Sequence, residues 1–182
     1  AELVHVTNNH SKRVAYMSVC IAKQMGIQEE SLQDLAVCAL LHDNALTQYI
    51  QEELHNDISQ IAVTQEVPKL GAHCIWGEKN VAELPFHTDV SDVILYHHEN
   101  ADGSGPFGKK WDEIPLFSRI IHLCDLLDIA CRTKKFAEGT WKVAEQFVQN
   151  STGTMFDREC SDAFLRAFSE EQFLSLDRET FE

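Results

Sequence analysis

The side chains of this sequence best able to do chemistry are five histidines and two aspartates: His10, His42, Asp43, His73, His97, His98 and Asp125. A neutral ring nitrogen is the commonest side-chain metal ligand. Nitrogen together with carboxylate oxygen suits iron, manganese, zinc and similar ions. Each of the seven lies beside an apolar stripe rather than on an evidently solvated face. One imidazole in such a place is ordinarily a hydrogen-bonded core residue, and Asp43 or Asp125 alone would read as a helix-end cap. Burying all of them without a cation would leave many polar groups unmet, at a cost of several kcal/mol. A metal cluster offsets that cost.

These residues need elements to bring them together. His97 and His98 close the apolar run VSDVILYHH (90–98), which predicts a helix. Adjacent side chains on a helix point about 100° apart. At a helix end, with a loop of three glycines and a proline behind it, both rings can still converge. Pro115 fits the first turn of a helix that carries Asp125 and runs to about Arg132. Upstream, Val14, Met17, Ile21 and Met25 predict a helix over 3–26 that holds His10 and stops at Gly26. Ser31 reads as the N-cap of SLQDLAVCALLHD, which ends on His42-Asp43. Residues 44–54 continue as a short helix. The stretch 55–70, interrupted by Pro68, is read as irregular or weakly helical and as a candidate mobile lid. A helix over 71–84 carries His73 and is stopped by Pro85. Two closing helices follow at 139–150 and 157–168, the second started by Asp157, with a short one after them. No period-2 strand pattern, internal repeat or low-complexity segment is present. The predicted fold is all-α: a single-domain helical bundle over residues 1–182 around a buried bimetal site.

A length of 182 residues suffices for one domain with a sizeable core. With 44% hydrophobic and 24% charged residues the composition is that of a soluble globular protein. No stretch approaches the roughly 20 apolar residues of a membrane span. The start, AELVHVTNN, lacks a basic region and a cleavage site, so no signal peptide is read and a cytoplasmic location is expected. It begins almost inside a helical pattern, as in a domain cut from a longer chain with an N-terminal regulatory region. A formal net charge of −14 repels nucleic-acid phosphates and argues against polymeric DNA or RNA as a partner. An anionic small substrate would need a metal or a local basic patch. The cysteines at 20, 38, 74, 124, 131 and 160 sit mainly in apolar helical surroundings without a CxxC pair, which predicts buried, reduced thiols.

The ordered set H…HD…H…HH…D, the DGSG at 102–105 with Ile114-Pro115 behind it, and GTMFD at 153–157 resemble the HD-GYP domains. These are a subgroup of the HD superfamily of metal-dependent phosphohydrolases, and the resemblance covers nearly the whole chain. It implies two divalent ions, iron or manganese, with zinc, nickel and magnesium as further ions such a site accepts. His10, His42 and Asp125 would complete one ion's ligands, His73, His97 and His98 the other's, with Asp43 bridging. It implies hydrolysis of cyclic di-GMP or a related cyclic dinucleotide, with Asp43 and His42 as catalytic residues. The chemistry also suits the residues: two ions a few ångströms apart can bridge a hydroxide at neutral pH and neutralise a phosphodiester during in-line displacement. Arg132, Lys134 and Lys135 stand about where basic residues of the family hold substrate phosphate; a solvated basic helix end is the alternative. Arg13 reads as an ion-pair residue and Asp102 as a loop cap. His5, His55, His87 and His122 match nothing in the pattern and are read as ordinary.

The sequence departs from the family in three places. The lysine of the family's HDxGK is Leu46, which removes a positive charge where transition-state charge develops. The GYP triplet reads Gly105-Pro106-Phe107, without its tyrosine. A glutamate that recruits a third metal in some members is Val6, so two metals are expected. Two readings follow. One is a divergent phosphodiesterase, favoured because all seven ligands are kept. The other is a metal-loaded, catalytically weak signalling domain that binds a nucleotide or a partner protein. An HD-like domain with another phosphohydrolase substrate is a third, and oligomeric state is left open.

Overall fold

A computed structural model describes residues 9–52, 67–132 and 139–177. In chain order the helices are α1 (His10–Gln24), α2 (Glu29–Leu41), α3 (Leu46–Glu52), α4 (Val67–Val81), α5 (Leu116–Arg132), α6 (Thr140–Ser151), α7 (Arg158–Ala167) and α8 (Glu170–Leu174). A 3-10 turn, Ser175–Asp177, ends the described chain. No strand occurs among the described residues, and the fold is all-α as the periodicity predicts. Val14, Met17 and Ile21 of α1 pack against Leu35 and Cys38 of α2 and against Ile120, Ile121, Cys124 and Leu127 of α5. Phe164 of α7 and Phe173 of α8 close the same core. Each such side chain removed from water contributes about 1.5–3 kcal/mol, which is what holds α1, α2 and α5 around the site. No helix among the described residues is long and apolar enough to cross a membrane.

Several predicted boundaries shift, each for a local reason. Asn9 adopts a left-handed conformation with φ 61°, so α1 opens at His10; residues 3–8 of the predicted first helix lie outside the described residues. Gln28, not Ser31, holds the N-cap position of α2, with Glu29 and Glu30 in the first turn, where negative charge suits the helix dipole. Asp157 does cap α7 as predicted, accepting from the Cys160 amide at 3.0 Å. Pro68 falls in the first turn of α4, where its missing N–H costs nothing, so residues 67–70 are helical. The rest of the predicted lid, 55–66, lies outside the described residues. Pro115 directly precedes α5, its carbonyl accepting from the Arg119 amide at 3.2 Å.

The larger correction concerns residues 90–98, which form a run of turns and not an α-helix. Asp92 has φ 65°, which breaks the helical sequence. The amides of Asp92, Ile94 and Leu95 donate to the carboxylate of Glu78 on α4 at 2.7, 3.0 and 3.1 Å. A side chain from a neighbouring helix thus meets donors that the local chain leaves open. Asp34 of α2 does the same for the preceding loop, accepting from the amides of His87 and Thr88 and from the Thr88 hydroxyl.

Candidate metal centre

These anchors bring all seven sequence-identified residues to one place. His10 opens α1, His42 and Asp43 follow the end of α2, and His73 lies on α4. His97 and His98 end the pinned turn segment, and Asp125 lies within α5. Oδ2 of Asp43 is 3.4 Å from His42 Nε2, while Oδ1 is 3.5 Å from His73 Nε2 and 3.8 Å from His97 Nε2. One carboxylate therefore faces two sets of imidazoles. Asp125 is placed similarly: Oδ1 is 3.2 Å from His10 Nε2 and 3.9 Å from His42 Nε2, and Oδ2 is 3.9 Å from His98 Nδ1.

The rings are aimed by their own local backbone. His42 Nδ1 donates to the Ala39 carbonyl at 2.8 Å and His97 Nδ1 to the Ile94 carbonyl at 2.6 Å. Each bond fixes the tautomer and leaves the Nε2 lone pair toward the cluster, the usual support for a metal-binding imidazole. His42 Nε2, His73 Nδ1 and His97 Nε2 are buried and have no hydrogen-bond partner. Orphaned buried polar nitrogens cost free energy unless something meets them. The convergence of His42 Nε2 and His97 Nε2 on the Asp43 carboxylate fits divalent cations.

Charge divides the cluster. Burial works against a charged His10, but the carboxylates of Asp125 and Asp128 outweigh it and push this imidazole up to about 9. Burial holds His97 below its ordinary value and His98 well below, with neighbouring imidazoles adding to the effect. Burial would raise Asp43, yet His42, His73 and His97 keep its carboxyl well below the usual carboxylate range.

Several supporting residues escaped the sequence reading. Asp128 accepts from His10 Nδ1 at 2.7 Å and from Arg13 Nε at 2.5 Å and Nη2 at 3.0 Å. Arg13 is thus the ion-pair residue expected. His122, read from sequence as ordinary, is buried and reaches the His97 carbonyl at 3.1 Å through Nδ1 and Asn100 Oδ1 at 3.0 Å through Nε2. Both residues stand three positions from Asp125, hence on its helix face, which is a signal the sequence did contain. Buried Glu99 accepts from the amides of Phe107 at 2.7 Å and Lys109 at 2.5 Å and so folds the glycine loop. A Cβ on Gly105 would sit 2.6 Å from Glu99 Oε1, so only glycine fits there. The loop is tied to the GTMFD segment by Ala101 N to Met155 O at 3.1 Å and Asp102 N to Thr154 O at 2.9 Å. Asp102 caps the Ser104 amide as expected.

Leu46 opens α3 and packs with Tyr49, Ala72 and Trp76 in an apolar patch. Phe107 meets Tyr96 edge to face at 5.7 Å. Lys134, Lys135 and the side chain of Arg132 lie outside the described residues, as do His5 and His55. His87 is exposed.

Similarity to known proteins follows the same lines. Over 166 residues the chain is 28% identical to the cyclic di-GMP phosphodiesterase response regulator RpfG of Xanthomonas campestris, covering 88% of this chain and 43% of that protein. Over 173 residues it is 30% identical to a 3'3'-cGAMP-specific phosphodiesterase of Vibrio cholerae, covering 90% of this chain and 35% of that protein. The chain thus spans well under half the length of these curated relatives. Its fold matches the crystal structure of a cyclic GMP-AMP-specific phosphodiesterase of V. cholerae with a TM-score of 0.72 at 24% identity, over 94% of this chain and 46% of that one. The HD domain family model matches residues 2–160, and the chain belongs to the HD domain family.

Proposed function

We propose that this chain is a metal-dependent phosphodiesterase that hydrolyses cyclic di-GMP or a related cyclic dinucleotide. The observation that carries the reading is Asp43, whose two oxygens face separate imidazole sets that include buried nitrogens with no partner. His10, His42 and Asp125 would hold one divalent ion and His73, His97 and His98 a second, with Asp43 shared between them. Two such ions would supply Lewis-acid charge neutralisation and a water that ionises near neutral pH to give the hydroxide nucleophile. The protein's own part is positional. His42 and His97 present their lone pairs because backbone carbonyls hold the opposite nitrogens, and Asp43 stays ionised in the midst of the rings. With a net charge of −14, the chain depends on these cations to draw an anionic substrate. Arg132, Lys134 and Lys135 are the basic residues proposed to contact substrate phosphate. Iron or manganese is the proposed pair, and six cysteines outside any disulfide suit a cytoplasmic setting.

One observation favours a second reading, a domain that keeps its metals and signals by binding a nucleotide or partner protein. The position of the family's lysine is apolar and packed, since Leu46 lies against Tyr49, Ala72 and Trp76. Turnover of cyclic di-GMP by anaerobically purified protein, with metal content measured on the same sample, separates the two. Hydrolysis that scales with two bound ions per chain is the expected result; two ions without hydrolysis of any cyclic dinucleotide would establish the second reading. Leu46→Lys should raise turnover about tenfold or more by restoring a cation near the transferring phosphoryl group. An unchanged rate with metals bound would mean that the apolar patch is not what limits the reaction.

A further inference from the structure

Cys74 follows His73 on α4 and is fully buried. Adjacent side chains on a helix diverge by about 100°, so a cysteine that serves packing alone would turn away from the cluster. Instead its Sγ lies 3.7 Å from His73 Nε2, the same nitrogen that stands 3.5 Å from Asp43 Oδ1. Donor atoms of His73, Cys74, His97 and His98 all lie within 4.8 Å of one another. With sulfur at about 2.3 Å and nitrogen at about 2.0–2.1 Å from one ion and an angle of about 110° between them, those two donors sit about 3.5 Å apart. The observed separation is close to that value. The buried His97 Nε2, without a hydrogen-bond partner and 3.8 Å from the same Asp43 oxygen, independently marks this volume as a place for a cation.

We infer that Cys74 is a thiolate ligand of the second ion site, beside His73, His97 and His98, and that it biases this site toward Zn(II) or Fe(II) over Mn(II) or Mg(II). The inference rests on the metal centre proposed above. Thiolate is the soft donor of the set and favours borderline-soft ions, whereas imidazole and carboxylate discriminate less. An ordinary cysteine thiol is protonated at neutral pH. On binding, the S–H bond breaks, a sulfur–metal bond forms and the proton passes to solvent. No electron changes hands.

Cobalt(II) titration of chelator-stripped protein under anaerobic, reducing conditions tests this without reference to catalysis. The unsubstituted protein should develop a thiolate-to-cobalt charge-transfer band in the near ultraviolet together with the visible bands of bound cobalt. Cys74→Ser and Cys74→Ala should keep visible cobalt bands and lose the charge-transfer band. Their preference for Zn(II) over Mn(II) should fall by about an order of magnitude. Cobalt binding to the unsubstituted protein without a charge-transfer band would overturn the thiolate ligand and leave the metal centre standing. A band that persists in a folded variant would also overturn it, by assigning the sulfur to another cysteine. Failure of the unsubstituted protein to bind cobalt, zinc or manganese would overturn both.

Discussion

Around His10 the cluster is ionic, and around His98 it is neutral. His10 lies between the carboxylates of Asp125 and Asp128 and is pushed up to about 9, with Arg13 on the far side of Asp128. Burial first, and then neighbouring imidazoles, hold His97 and His98 down against the pull of Asp43, so they are uncharged at neutral pH. The two halves therefore differ in what an arriving cation must displace: a ring proton at His10, and at the other half only the thiol proton of Cys74. His10 and His97 also differ in support, His10 being held by the Asp128 side chain of α5 and His97 by the backbone carbonyl of Ile94. Asp43 stands between them, and its loss should erase the distinction.

Asp43→Ala is accordingly the largest expected effect. Bound metal measured by elemental analysis should fall from two ions per chain to almost none, with hydrolysis lost. Retention of both ions would break the shared-carboxylate geometry. Asp128→Asn comes next and should act on one half alone. Supporting groups of metal-bound imidazoles typically matter by about 10–100-fold in affinity. A loss of that size should appear for one of the two ions in a metal titration, with the other unchanged. Equal weakening of both would mean that the halves are not independent.

The smallest effect is a pH dependence of the metal-free protein. His10 has its folded value raised to about 9, so its contribution is full below the ordinary value near 6.5 and is lost as pH rises through 9. His97, His98 and His122 have lowered folded values, so their contributions are present above about 6.5 and are lost as pH falls below it. The free energy of urea unfolding should therefore peak near pH 6.5, with an alkaline fall of roughly 3 kcal/mol at most. His10→Gln should flatten the alkaline limb and leave the acid limb in place. A limb unchanged in that variant would assign it to other groups.

Much of this was readable before the structure. The helical spacing of Val14, Met17 and Ile21 fixes the inward face of α1 that also carries Ser18 and His10. The histidine-aspartate order named the seven residues that converge. What the sequence hid depends on contacts far along the chain. The apolar run 90–98 has the pattern of a helix, but its amides are met by Glu78, and no local rule discloses a carboxylate fourteen residues upstream. Glu99 looks like an ordinary charge until its oxygens are seen folding the loop of Gly105-Pro106-Phe107. Cys74 reads as one more apolar cysteine because sequence reports its type and not the direction of its sulfur. Asp128 and His122 could have been found, since both lie one helical turn from Asp125.

If Asp43 joins two ions, one in each half, diffraction from metal-loaded crystals, with anomalous data collected at the metal's absorption edge, should show it directly. Two anomalous peaks should flank Asp43, each about 2.0–2.2 Å from one of its oxygens, one beside His10 and His42 and the other beside His73, His97 and His98. A single peak, or two peaks neither of which touches Asp43, would contradict it.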